Sequence, residues 1–369
     1  MNVGLINTYS TQNLGDAAIY SAIAEMLPEG RLLASFNDSQ MRLIPGLRMA
    51  DLQVQSLENC DAYISVGGDI FNNARKYLAT RKFLQNIRQL WHSPKSTFLF
   101  GQSIPRSCQG LSFGLLALTL RNLASVCVRD QESYYRLQQA GVQALLSYDT
   151  AFALRGSEAG LQVAQRLFDA IEVDPSTAVC LSVRAFDTMY MRQPDVCFQQ
   201  VVKLCQALSQ RGHRPVVLVQ SQASKGEDDR AIAARIRQHV PTLGVFNPFV
   251  QDPQVPDWDV AMGALSLCRT IVGVRYHTAV LSLASGRCPF NLYYSNKGQD
   301  LTERLGIPGC SLETLDLEVH IPQIEQTIDH SFDHDTLRQQ VYADFTTCYK
   351  HTLTTSLVSY DQPTHAVSR

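Results

Sequence analysis

Between Thr270 and Gly286, two apolar runs meet at a pair of ionisable side chains: Thr270-Ile271-Val272-Gly273-Val274-Arg275-Tyr276-His277-Thr278-Ala279. The first run reads as a strand and the second as a helix, so Arg275 and His277 fall at a strand-to-helix junction. A helix N-terminus offers unpaired N–H groups and a partial positive charge to an anion. Arg275 adds a full charge there, and His277 adds a group that gives or takes a proton near neutral pH. A lone histidine more often caps a helix or hydrogen-bonds in a core. The neighbouring arginine at a strand end is what makes His277 the candidate catalytic residue, and the other eight histidines have no comparable setting.

Four more segments end a strand in polar residues. In Val126-Cys127-Val128-Arg129-Asp130-Gln131-Glu132-Ser133, Arg129 emerges at the strand end and Asp130 is placed to cap the next helix. An arginine there can grip a carboxylate or phosphate with two donors, or pair with a carboxylate that joins two domains. Tyr293-Tyr294-Ser295-Asn296-Lys297-Gly298 brings Lys297 within reach of the same anion; taken alone, Lys297 reads as a solvated turn lysine. In Asn7-Thr8-Tyr9-Ser10-Thr11-Gln12-Asn13-Leu14-Gly15-Asp16, Gly15 permits close backbone approach and Asp16 suits a helix cap. An ordinary strand-to-helix loop explains that segment as well. Ile64-Ser65-Val66-Gly67-Gly68-Asp69 leads from a strand into a glycine pair, which fits ligand contact or a tight turn. GxGxxG is absent, so no dinucleotide fingerprint supports an NAD-dependent oxidoreductase.

Short apolar runs alternating with amphipathic stretches must position these side chains. Strands are expected at Val3–Ile6, Ala62–Val66, Thr97–Phe100, Ser125–Val128 and Ala144–Ser147, with helices at Asp16–Leu27, Lys76–Trp91, Leu115–Leu123 and Gln131–Ala140. The rhythm breaks near Arg155–Gly160 and resumes after Pro175. Strands then follow at Ala178–Val183, Pro215–Val219, Thr270–Val274 and Pro289–Leu292, with helices at Phe198–Arg211, Asp228–His239, Asp257–Leu267 and Tyr276–Ala284. Such alternation specifies parallel sheets with helical crossovers. The expectation is an α/β protein of two Rossmann-like domains facing across a cleft, residues 1–165 and 166–322. A helical region and polar tail, 323–369, would follow. In such sheets ligands bind beyond the carboxyl ends of the strands, where the segments above lie.

Composition sets the outer limits. The 369 residues carry 32 Lys+Arg against 34 Asp+Glu, and 45% are hydrophobic, which supports sizeable cores and gives no long-range basic field. Nucleic acid is therefore not the expected partner, although a small anion held by a few local cations remains compatible with that charge. Ten cysteines occur without a CxxC pair, mostly inside apolar runs, and read as buried thiols in a reducing compartment. Met1-Asn2-Val3-Gly4-Leu5-Ile6 reads as a strand rather than a signal peptide, and no apolar stretch suits a bilayer span. The expected location is the cytoplasm.

Taken together, the segments resemble the polysaccharide pyruvyl transferase family. The resemblance runs through Asn13-Leu14-Gly15-Asp16, Gly67-Gly68, Val128-Arg129-Asp130-Gln131-Glu132-Ser133, Asp149-Thr150-Ala151-Phe152 and Gly273-Val274-Arg275-Tyr276-His277-Thr278-Ala279, with Gly286 and Pro289 behind. It covers about residues 4 to 306. Two positions depart from the pattern: Asp69 follows Gly68 where many members carry a third glycine, and Thr150 replaces the usual proline.

The resemblance implies a GT-B-like fold and transfer of pyruvate from phosphoenolpyruvate to a sugar as a cyclic ketal, with no metal or nucleotide cofactor. It implies His277 as the catalytic residue and Arg129, Arg275 and Lys297 as donor-binding residues. Asn13, Gly15, Asp16, Gly67, Gly68 and Asp69 would then form the loops on the acceptor side of the cleft. The acceptor would be a sugar or lipid-linked oligosaccharide, bringing the protein transiently to a membrane surface. Two other functions share the architecture: a sugar-nucleotide-dependent glycosyltransferase, and a catalytically silent binding member of a polysaccharide assembly complex. Acceptor identity and oligomeric state are not encoded in any of these motifs.

Overall fold

Ala178-Val179-Cys180-Leu181-Ser182, buried at every position, is the kind of run that forms a strand covered by helices on both faces. The computed structural model describes residues 1–27, 31–36, 44, 47–49, 57, 60–73, 78–185, 194–223, 227–249, 254–328 and 330–360. In its first half, β1 (Asn2–Ile6), β2 (Arg31–Ala34), β3 (Leu47–Met49), β4 (Ala62–Ser65), β5 (Thr97–Gln102), β6 (Ser125–Val128) and β7 (Leu145–Leu146) form one parallel sheet. Their order is β3-β2-β1-β4-β5-β6-β7. The helices of this half are α1 (Leu14–Met26), α2 (Arg81–Trp91), α3 (Leu111–Leu120), α4 (Gln131–Gln139) and α5 (Glu158–Ala170).

The second half repeats the plan. It contains β8 (Ala178–Ser182), β9 (Arg214–Leu218), a short antiparallel pair β10 (Gln222–Ala223) and β11 (Glu227–Asp228), then β12 (Gly244–Phe246), β13 (Thr270–Gly273), β14 (Phe290–Tyr293) and β15 (Gly309–Ser311). The main sheet is parallel and ordered β12-β9-β8-β13-β14-β15. Its helices are α6 (Pro194–Gln210), α7 (Asp229–Arg237), α8 (Asp257–Leu267), α9 (Tyr276–Ala284), α10 (Asn296–Leu305) and α11 (Leu317–Gln326), and α12 (Asp335–Tyr360) closes the described chain. Both sheets have the doubly wound order in which the chain reverses direction beside its first strand. Two Rossmann-like domains thus face each other across a cleft.

The two domains are tied at the cleft. Leu14 N donates to Gln220 O at 2.9 Å and Gln222 N to Gln12 O at 3.0 Å, joining the loop before α1 to the loop after β9. Arg304 of α10 donates to the carbonyls of Arg129 (2.8 Å) and Ser147 (3.0 Å). At the far end α12 returns to the first domain, where Phe345 packs edge-on against Phe98 and Phe100. The division expected at residue 165 falls inside α5, and the ring of Phe168 in that helix packs tilted against Phe246 of the second domain, centroids 4.7 Å apart. The expected helical region 323–355 resolves into the end of α11 and most of α12, whereas residues 361–369 lie outside the described residues, as does Lys76 at the start of an expected helix.

Candidate active site

Six strand ends, those of β1, β4, β8, β9, β13 and β14, converge on one cavity of about 480 Å³. The loops after β1 and β4 supply Tyr9, Asn13, Asp16, Gly68 and Asp69; those after β8 and β13 supply Arg184, Arg275, Tyr276 and His277. These are the two points at which strand order reverses, one in each sheet, where an open α/β sheet leaves a crevice. Asn13 caps α1 by accepting from Gly15 N at 3.0 Å. Asp16, expected as the cap, instead sits in the first turn and lines the cavity, because the helix begins two residues earlier. Gly67, at φ 114°, and Gly68 carry the chain around the end of β4. Asp130 caps α4 as expected, accepting from Ser133 N at 2.8 Å.

The cavity is cationic, and its cations are held by named acceptors. Arg275 donates Nε to Val183 O at 2.7 Å and Nη2 to Asp229 Oδ1 at 2.5 Å. Lys297, in the first turn of α10, reaches across to Asp69 Oδ2 at 2.7 Å. Arg184 lies over the ring of Tyr294 and donates to its hydroxyl at 2.5 Å. The phenol of Tyr294 reports their combined field: burial pushes its pKa up, but Arg184, Lys297 and Arg275 outweigh burial and hold it below the ordinary tyrosine value. Asp69 behaves likewise, its carboxyl lowered against burial by Lys297, Arg129 and Arg184. Asp229 goes the other way, because burial there exceeds the pull of Arg275.

His277, the second residue of α9, faces the first domain. Its Nε2 is buried, lies 3.6 Å from Asp149 Oδ2, and has no hydrogen-bond partner among the described residues. That separation is longer than a hydrogen bond but close enough for charge to be felt. Burial lowers the imidazole pKa, Asp149 pulls it up, and Arg129 and Lys297 push it down again, for a net lowering. The unliganded imidazole is therefore neutral at neutral pH. Asp149 itself is buried, but Arg129 and His277 more than offset burial and keep its carboxyl far below the usual range.

The sequence pattern of the polysaccharide pyruvyl transferase family matches residues 13–296, which include every side chain just described except Tyr9 and Lys297. The chain belongs to that family. A curated relative, the amylovoran biosynthesis protein AmsJ of Erwinia amylovora, is 23% identical over 265 residues, covering 68% of this chain and 61% of AmsJ. Among solved structures, the UDP-GlcNAc 2-epimerase of Methanocaldococcus jannaschii superposes with a TM-score of 0.57 at 7% identity, covering 94% of this chain and 99% of that one. The UDP-GlcNAc 2-epimerase of Neisseria meningitidis gives 0.56 at 9% identity, covering 95% and 100%. At these identities the likeness speaks to the fold.

Within the pyruvyl transferase frame, His277, Arg275 and Lys297 share the cavity wall with Asn13, Asp16, Gly68 and Asp69. Arg129 lies behind that wall. Its fully buried guanidinium donates to Ser103 Oγ (2.8 Å) and Asp149 Oδ2 (2.5 Å), and stacks on the Tyr276 ring at 4.6 Å. Gly15 is the floor beneath the His277 ring, and its Cα faces Nδ1. Sequence reasoning missed Arg184, Tyr294 and Asp149 as parts of the site. A signal for Arg184 exists: β6, β8 and β13 all run out in Val-Arg, as Val128-Arg129, Val183-Arg184 and Val274-Arg275. The thiols are all free, and eight of the ten are buried. No helix among the described residues is long and apolar enough to cross a membrane.

Proposed function

We propose that this chain transfers pyruvate from phosphoenolpyruvate to a sugar of a polysaccharide or cell-surface glycan, forming a cyclic ketal and releasing phosphate. The observation that carries this reading is the convergence of Arg184, Arg275 and Lys297 with His277 on one cavity, strong enough together to depress the Tyr294 phenol. A donor with a carboxylate and a phosphate on three carbons needs several cations around a small volume, and guanidinium groups match both anions. The α9 N-terminus adds its amides to that set. Arg129 acts from behind, by fixing Asp149 and the Tyr276 ring.

The donor's negative charge opposes the burial that keeps His277 neutral, so binding recharges the imidazole. His277 then gives its proton to the methylene carbon, which becomes a methyl group. One sugar hydroxyl bonds to the cationic central carbon and passes its proton back to His277. A second hydroxyl of the same sugar displaces phosphate, which departs with the remaining proton. The loops after β1 and β4, with Asn13, Asp16 and Asp69, face the donor cations across the cavity and form the acceptor side. Membership of the family and the AmsJ relative support a polysaccharide acceptor.

The test is incubation with phosphoenolpyruvate and a panel of glycosides. Phosphate release with a product heavier by pyruvate minus one water is expected, and His277→Gln should abolish both while leaving the fold intact. Thermal stabilisation by a nucleotide sugar with no response to phosphoenolpyruvate would overturn the reading.

A further inference from the structure

Exposed apolar side chains cluster on one face. Among the described residues, eleven large hydrophobic side chains are exposed, and five of them (Leu78, Leu84, Trp91, Leu111 and Leu118) lie on or beside α2 and α3. The outward row of α2 is Arg81, Leu84, Arg88 and Trp91, at spacings of three and four that share a face, while Phe83, Ile87 and Leu90 point to the core. On α3 the outward positions are Leu111 and Leu118, running to Arg121, with Leu115 half-buried against the core between them. Leu111 is 78% exposed and Leu118 56%. The Trp91 indole donates to Thr119 Oγ1 at 3.1 Å, joining the two helices so that their rows form one surface.

That surface is basic as well as apolar. From Ile70 to Val128 the sequence holds eight Lys and Arg and not one Asp or Glu, within a chain whose 34 acidic residues outnumber its 32 basic ones. Arg81, Arg88, Lys95 and Arg121 are exposed on or beside the two helices. Arg81 and Arg88 make no ion pair among the described residues. A bulk charge of −2 conceals this segregation.

We propose that the α2–α3 face docks on an anionic lipid bilayer. Leucines and the amphipathic Trp91 ring enter the headgroup region, and the arginines meet lipid phosphates. A contiguous apolar face of this kind calls for a partner. Its charge selects a negative one: two copies of the chain would bring like charges together across the contact. The face also leads to the cleft, since Thr80 and Lys82 at the start of α2 line the cavity. A glycan carried by a lipid in that bilayer would arrive at the cavity mouth, a consequence that rests on the pyruvyl transfer reading. The docking itself does not.

Vesicle flotation without substrate tests the docking separately from catalysis. The protein should float with phosphatidylcholine vesicles containing phosphatidylglycerol, and not with phosphatidylcholine alone. L111E with L118E should abolish flotation. R81E with R88E should weaken it about twentyfold or more, at roughly fivefold for each basic residue lost. Circular dichroism and phosphate release with a soluble glycoside should match the wild type in both variants. Failure to float at low salt, flotation undiminished in the variants, or a solution dimer that L118E dissociates would overturn the proposal.

Discussion

A Cβ added to Gly15 would stand 2.0 Å from Nδ1 of His277. The first turn of α1 and the first turn of α9, from opposite domains, therefore meet with clearance for a glycine and nothing larger. The ring base is equally close, with Cγ at 2.3 Å, so rotating the imidazole tip cannot relieve the clash. Gly15→Ala should displace the whole ring by about an ångström and cost on the order of a hundredfold in turnover. Phosphate-release kinetics alongside a thermal melt would check this, since near-normal kcat in the variant would show that the ring position is not critical.

Lys297 spans the cleft to Asp69, which makes the carboxylate a competitor for any anion that the lysine is to bind. Asp69→Asn removes the charge and keeps the shape. The variant should bind phosphoenolpyruvate several-fold more tightly by calorimetry. Weaker binding would mean that Asp69 instead holds Lys297 in its working position.

Arg129 and Asp149 are both fully buried, and each neutralises the other. Asp149→Asn can still accept from Ala151 N, so it isolates the loss of charge. Asp69, 3.7 Å from Nη2, remains as the guanidinium's other carboxylate. The cost should therefore stay below the roughly 3–5 kcal/mol of a fully orphaned buried charge, and the urea midpoint should fall accordingly. The wild-type carboxyl is held far below its usual range, so its contribution is complete above the ordinary carboxylate pKa and lost as pH falls through the lowered one. An unchanged urea midpoint in the variant would place the stabilisation elsewhere.

How far the sequence reveals this arrangement depends on the range of each interaction. Strand ends carrying Arg129, Arg275 and His277 are local features, legible because an apolar run stops at a charged residue. The strands β2, β3, β12 and β15 escape such reading because Arg31, Arg48, Gly244 and Gly309 cut into apolar runs that are already short. Helix α5 escapes for a different reason. Gly160 looks like a break, yet a Cβ there would meet Asp259 within 2.6 Å, so the glycine serves close packing of α5 on α8. The pairing of Lys297 with Asp69 joins residues 228 apart and belongs to the closed cleft, which no local pattern encodes.

His277 offers a pH test whose sign follows from its burial. In the folded chain its pKa is lowered, whereas in the unfolded chain it takes the ordinary value near 6.5. Below about pH 6.5 the unfolded state therefore binds a proton that the folded state refuses, and stability falls as pH drops. The wild type should lose thermal stability between about pH 7 and 5 more steeply than His277→Gln, which has nothing to protonate. Phosphoenolpyruvate should reverse the sign at this residue, because bound anions favour the imidazolium. Donor binding should then take up a proton, seen as a buffer-dependent heat in calorimetry near neutral pH that vanishes in His277→Gln. Equal proton uptake in the two proteins would assign the titration to another group and remove His277 from the proton-transfer step.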